Sequence, residues 1–241
     1  MSSASATDLP TEYFASLPDL SRVRLSPDGE NIIWLVRVET EKRQGQLIQI
    51  VNTKTGKQKN IAFTDNEKYK IRGLRWANEE TVILYADFPA SRYGTPTTES
   101  RIVKLDTNTG EIKAVIPRSL LRKQKYQSNH MSNVIDFLPD DKDHILVSLA
   151  GYASGPEESV LKINLNGSGK SSFEQRTKRN VIDWMTDAKG KVRIGIARDD
   201  TTYKIRAKLA WESSWRTLWE FEAFSREAVW PLAFGAKDNE L

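Results

Sequence analysis

Few side chains in this sequence could do chemistry. Glu157 and Glu158 follow a loop-forming stretch, Gly151 to Pro156. Adjacent carboxylates can hold a primary ammonium, such as a peptide's amino terminus, by charge-assisted hydrogen bonds. The plainer role for such a pair is a polar loop tip. Arg92 and Tyr93, within Ala90 to Pro96, offer a guanidinium and a phenol that could donate to peptide carbonyls. The densest basic run, Arg118 to Tyr126, mixes cations with an aromatic ring and so could grip phosphates and stack a base. No nucleic-acid-binding signature accompanies it, and a solvated connection is the simpler account, so no nucleic-acid partner is expected.

Covalent and metal chemistry find little material. There is no cysteine, which excludes thiol catalysis, cysteine-ligated zinc and iron–sulfur clusters. Only two histidines are present; His130 reads as a loop residue and His144 as a strand residue. No serine lies in a Gly-x-Ser-x-Gly elbow. Gly151 to Gly155 has the wrong spacing around Ser154, and Gly167-Ser168-Gly169 reads as a hairpin turn. Asp140-Asp141, Asp187 and Asp199-Asp200 lack the spacing and distal glutamate of a calcium loop, so they read as turn acids. No catalytic residue, metal or cofactor is expected within the chain.

The elements that would position these residues come from a repeat. The chain has 241 residues, 39% hydrophobic and 28% charged, with a net charge of +4, values ordinary for a globular chain. No apolar run approaches the length of a membrane span, and the start Met1 to Thr7 is not a signal peptide as written. An apolar alternation, a polar turn and a second strand-like run recur at Val23–Val36, Gly73–Tyr85, Val134–Val147 and Val181–Ile196, and a further copy begins at Trp230. Aligning the turns at Pro27, Asn78, Pro139 and Asp187 gives steps of 51, 61 and 48 residues, the long step being where Arg118 to Asn129 adds chain. Each repeat continues as a hairpin: Asn52 to Gly56, Asp106 to Gly110 and Asn164 to Gly167 follow alternating strands, and Trp211 to Ser214 is a degenerate fourth turn.

Four short antiparallel strands per unit of this length predict a propeller blade. The expected fold is all-β: a partial β-propeller of about four four-stranded blades and the start of a fifth, with the ring not closed within this chain. Residues 1–8 read as a lead-in and 9–241 as the propeller, with blades at 20–65, 70–117, 131–176, 180–222 and a beginning at 228–241. Trp34, Trp76, Phe137, Trp184 and Phe234 are expected to pack between blades. Only short helices are expected, at Glu12–Ser16 and Ser119–Gln127.

Ser26-Pro27-Asp28-Gly29 before a strand, a second strand ending in a Thr-Gly turn, and the lead-in Tyr13 to Pro18 together resemble the N-terminal propeller of the prolyl oligopeptidase family of serine peptidases. That family includes acylaminoacyl peptidases and dipeptidyl peptidases, and the resemblance covers Leu9 to Leu241. It implies a non-catalytic propeller that gates and positions short peptides for an α/β-hydrolase domain lying outside this chain. It also implies that Glu157 and Glu158 could hold a peptide amino terminus, as propeller glutamates do in dipeptidyl peptidases. A periplasmic or secreted location is favoured, with the cytoplasm open. An unclosed ring would expose blade faces, so closure by further chain or by a homo-oligomer is expected. The same Ser-Pro-Asp-Gly unit occurs in TolB-like propellers, which suggests the alternative of an interaction scaffold with no hydrolase domain.

Overall fold

The computed structural model describes residues 18–40, 42–167 and 170–235. The lead-in 1–8, Tyr13 to Leu17 of the family-like motif, the helix expected at Glu12–Ser16, Ser168-Gly169 and the stretch Lys237 to Leu241 lie outside the described residues.

The described residues build four sheets, each with an antiparallel four-stranded meander in chain order, the second taking a fifth, parallel strand at its edge. The first holds β1 (Leu20–Leu25), β2 (Asn31–Thr40), β3 (Arg43–Asn52) and β4 (Gln58–Thr64). The second holds β5 (Lys70–Trp76), β6 (Thr81–Arg92), β7 (Thr95–Asp106) and β8 (Ile112–Ala114). After the helix α1 (Arg118–Leu121) and the short strand β9 (His130–Met131), the third holds β10 (Asn133–Asp136), β11 (His144–Leu149), β12 (Ser159–Asn164) and β13 (Ser172–Gln175). The fourth holds β14 (Val181–Thr186), β15 (Val192–Asp199), β16 (Thr202–Ala207) and β17 (Arg216–Glu222). The first strand of every sheet carries a register shift against the second, at Ser21/Arg24, Ile71/Gly73, Val134/Asp136 and Val181/Asp183. Such bulges sharpen strand twist.

The turns repeat at atomic level. Asn52 Oδ1 accepts the N–H groups of Lys54 and Thr55, Asp106 Oδ1 those of Asn108 and Thr109, and Asn164 Oδ1 those of Asn166 and Gly167. Gly56, Gly110 and Gly167 sit at φ of +67°, +78° and +75°, the left-handed region these turns require. The residue after each Asn or Asp donates back to the preceding turn: the N–H groups of Thr53, Thr107 and Leu165 reach the carbonyls of Glu30, Glu80 and Asp143 at 2.8–2.9 Å.

The sheets stack face to face. Ile33, Leu35 and Ile48 meet Leu74, Val82 and Leu84 of the second sheet. From the opposite face of that sheet, Ile83 and Ile102 meet Ile145, Val147, Leu161 and Ile163 of the third. Leu146 and Val160 then meet Val181, Trp184 and Ala197 of the fourth. This explains the continuous runs Val82-Ile83-Leu84 and Ile145-Leu146-Val147, since successive side chains of one strand serve two different interfaces. Each such buried aliphatic contributes about 1.5–3 kcal/mol. First strands of neighbouring sheets approach one another, β1 near β5 and β10 near β14.

Trp76, Phe137 and Trp184 are buried as expected. Trp34 is not: it lies on the face of β2 opposite Ile33 and Leu35, half-exposed, with its indole N–H donating to Gln49 Oε1 at 3.2 Å. Residues 223–235 form no strand. There Trp230 packs edge-on against Tyr203 and Phe221, at 5.0 and 5.4 Å, and half-buried Phe234 joins Ile194 and Ile205 on the far face of the fourth sheet. That trailing segment covers an apolar face instead of pairing with it. His130 belongs to a strand, not a loop. β8 pairs only with Val103–Leu105 of the twelve-residue β7, and the returning chain runs parallel along the edge left open at Ser100 and Arg101.

Candidate functional site

Glu157 and Glu158 end the β11–β12 connection and enter the joint between the third and fourth sheets. The Glu158 N–H donates to the Val181 carbonyl at 3.1 Å, and the Trp184 indole N–H donates to the Glu158 carbonyl at 2.9 Å. The Glu158 side chain turns inward, where the Ser148 hydroxyl and the Asn133 side chain hydrogen-bond it. Burial raises its pKa above the ordinary carboxylate value. The Ser148 and Asn133 bonds oppose that rise and the charge of Asp183 adds to it. Asp183, on β14, is raised too. Its surface stays open, but surrounding protein crowds its carboxyl, and the Trp184 N–H, 2.8 Å from Oδ1, only partly offsets this. Glu157 accepts a long 3.5 Å bond from the Asn180 N–H through Oε1, and its Oε2 is buried with no hydrogen-bond partner among the described residues.

The inserted segment closes one side of this acidic group. Leu120 of α1 is buried in the core shared by the second and third sheets. The helix expected over Ser119–Gln127 ends at Leu121 because the following chain is tied to the third sheet instead. The Lys125 N–H donates to the Gly151 carbonyl at 2.6 Å, and Gln124 Nε2 to the Ala150 carbonyl at 2.9 Å. Gly151, at φ +99°, permits the approach, since a Cβ there would lie 2.3 Å from the Tyr126 carbonyl oxygen. The Tyr126 hydroxyl donates to the Gly155 carbonyl at 3.0 Å; its pKa is raised by burial and by the charges of Glu157 and Glu158.

Arg92 and Tyr93 form the other expected pair. Tyr93 and Gly94 have φ of 53° and 79°, the backbone of a tight hairpin turn, and the Tyr93 ring is fully exposed. Arg92 is engaged within the protein: Nη2 donates to Glu99 Oε1 at 2.9 Å and Nη1 to the Gln127 carbonyl at 2.8 Å. Burial alone would push Glu99 up, but Arg92 and Arg101 together hold it below the ordinary value. The two expected groups do not meet directly. They are linked by the insertion, through Gln127 on one side and Tyr126 on the other.

His144 Nδ1 faces Asp141 Oδ1 at 2.8 Å and Nε2 faces Asn164 Nδ2 at 3.3 Å, so both ring nitrogens meet neighbouring side chains, while His130 is exposed on β9. Among the described residues no group of three or more acidic or histidine side chains is arranged to hold a metal ion. Ser148, Asn133, Asp183 and Tyr126 escape a sequence reading of the site. Only Asp183 leaves a signal there, as the polar residue in Val181-Ile182-Asp183-Trp184 that repeats Asp136 in Val134-Ile135-Asp136-Phe137. Glu158 and Asp183 thus form a partly desolvated, mutually repelling carboxyl pair at the joint of the third and fourth sheets, with Glu157 next to it in the chain.

No family model and no curated protein matches the sequence. Solved structures do resemble the fold. A prolyl endopeptidase, described for the role of inter-domain dynamics in catalysis and specificity, aligns over 84% of this chain and 30% of its own, with 10% identity and a TM-score of 0.54. TolB from Acinetobacter baumannii aligns over 79% of this chain and 41% of its own, with 14% identity and a TM-score of 0.40. The β-propeller domain of the trilobed protease from Pyrococcus furiosus aligns over 83% and 69%, with 15% identity and a TM-score of 0.43. The chain thus spans well under half the length of the prolyl endopeptidase and TolB structures. Four consecutive four-stranded meanders stacked face to face, together with the prolyl endopeptidase alignment, make the described residues an unclosed partial β-propeller, a fold shared with the aligned part of that structure.

Proposed function

We propose that this chain is the substrate-admitting propeller portion of a prolyl-oligopeptidase-like serine peptidase acting on short peptides, with the α/β-hydrolase domain carried outside these residues. The observation that carries the reading is the carboxylate group of Glu157, Glu158 and Asp183 at the joint of the third and fourth blades, set in this propeller architecture. A peptide's ammonium group placed there would replace lost water with charge-assisted hydrogen bonds. Because burial raises the Glu158 pKa, the peptide would bind best where that carboxyl has ionised, and affinity would fall as pH drops. Positioning is all the chain would do; the nucleophile and its base would come from the hydrolase domain.

The test uses the 241-residue chain and a tripeptide amide with a free or an acetylated amino terminus. Calorimetry is expected to find binding only for the free amine, weakened about tenfold or more by Glu157→Gln with Glu158→Gln, a loss of at least about 1.4 kcal/mol. Equal binding of the acetylated peptide would sink the reading, as would turnover of a peptide or ester substrate by the chain alone. The scaffold alternative draws on a different observation, the fully exposed Tyr93 at the tip of the β6–β7 hairpin. It expects Tyr93→Ala to abolish capture of a protein partner while the peptide-amine experiment shows nothing.

A further inference from the structure

The face that the fourth blade turns toward the third carries a second polar feature, of opposite sign and independent of the peptide reading. Along β16, Ile205 and Ala207 are buried in the core on one side. By strand alternation Lys204, Arg206 and Lys208 fall on the other; the Lys208 N–H continues the ladder by donating to the Arg193 carbonyl at 2.9 Å. The link from β13 to β14 brings Lys178 to the same place, its ammonium 5.8 Å from the centre of the Trp215 ring. Trp215 is itself fixed edge-on against Trp184 at 5.3 Å. Lys178, Arg206, Lys208 and Trp215, with Ser213 and Ser214, line an open cleft of about 640 Å³. A neighbouring recess of about 270 Å³ shares Arg206 and adds Arg179 and Lys204.

No acid lines the larger cleft, and the recess has one, the exposed Asp199. Glu212 is taken by Arg216 at 2.5 Å and Glu220 by Lys204 at 3.1 Å. Lys178, Arg206 and Lys208 make no ion pair with any described residue, yet all three are half-buried. Three cations gathered on a partly desolvated wall repel one another, and that cost is relieved by an anion carrying several charges. A single carboxylate would answer only one of them. The planar guanidinium of Arg206 matches a phosphate bidentately, while the two lysines act as point charges and the serine hydroxyls as neutral donors.

We infer that this cleft is a binding site for a small anion bearing two or more phosphate groups. Inorganic tripolyphosphate, titrated calorimetrically into the 241-residue chain at low salt, is the probe. The expected result is one site per chain, with affinity that falls as salt rises and drops about tenfold or more in Arg206→Ala with Lys208→Ala. Lys178→Gln, which leaves β16 intact, is expected to weaken binding on its own. Arg122→Ala with Lys123→Ala, in the other basic run, is expected to leave affinity within about twofold. Equal losses in both basic regions would mean diffuse attraction and would overturn the assignment. So would tetraglutamate or a short RNA binding more tightly than tripolyphosphate, because the cleft would then select a different class of anion.

Discussion

Trp184 offers the sharpest test of how the blades are joined. Its ring is 3% exposed, packs edge-on against Trp215 at 5.3 Å, and donates to the Glu158 carbonyl of the preceding blade at 2.9 Å. It also lies over Gly195, where a Cβ would come 2.9 Å from the ring. Trp184→Phe keeps much of the packing but leaves the Glu158 carbonyl without its donor, a loss of about 1–3 kcal/mol. Trp184→Ala adds the cavity and the lost aromatic pair, worth about 0.5–1.5 kcal/mol in itself, for a total of about 3–5 kcal/mol. With a urea m-value of about 2.5 kcal/mol/M, the alanine variant should unfold about 1.2–2 M earlier. The assay is urea unfolding followed by far-ultraviolet circular dichroism and by tryptophan fluorescence. Each blade contacts only its neighbours, so the fourth blade should loosen first and the two probes should separate in the variant. A midpoint shift below about 0.3 M in Trp184→Ala would refute the claim that this side chain couples the third and fourth blades.

Three further outcomes follow from the same structure. Glu158 has a raised pKa, so its contribution to stability is full at pH below the ordinary carboxylate value and is lost as pH rises through the raised one; Glu158→Gln should match the parent's melting temperature near pH 4 and exceed it near pH 8. Asp141 behaves in the opposite way: Lys162 and His144 overcome burial and lower it to about 2, so its contribution is present above the ordinary value and lost as pH falls through about 2. Its side chain is 34% exposed, so Asp141→Asn should cost only about 1 kcal/mol at pH 7, with the difference from the parent shrinking on acidification in urea titrations. Gly151→Ala would force a Cβ against the Tyr126 carbonyl, at a cost above about 1 kcal/mol; limited trypsin digestion should then cut faster within Arg118–Lys125.

The blades were legible because their signals are local and repeated. Ser26-Pro27-Asp28-Gly29 and the Asx–Gly turns set strand ends by hydrogen bonds within a few residues, and the apolar triplets at Val82 and Ile145 announce strands covered on both faces. The face on which an aromatic falls was less legible. Trp34 lies on the second strand of its blade and Trp184 on the first of its own, and alternation sends Trp34 away from the second blade and Trp184 into the joint with the third. The candidate site was half legible. Glu157 and Glu158 stand out as a pair, but Ser148, Asn133 and Asp183 reach them only through the register of separate strands. The cationic cleft had a faint trace in Lys204-x-Arg206-x-Lys208, whose meaning depends on Lys178 and Trp215 arriving from elsewhere.

Whether this propeller serves a serine peptidase is decided on the native protein. The measurement is the length of the natural reading frame past Leu241, paired with the mass of the native protein and its labelling by a serine-directed fluorophosphonate. The expected result is several hundred further residues containing a Gly-x-Ser-x-Gly elbow, then an acid and a histidine, with label on that serine but none on the 241-residue chain. A native protein that ends after a few more blades and takes no label would contradict it.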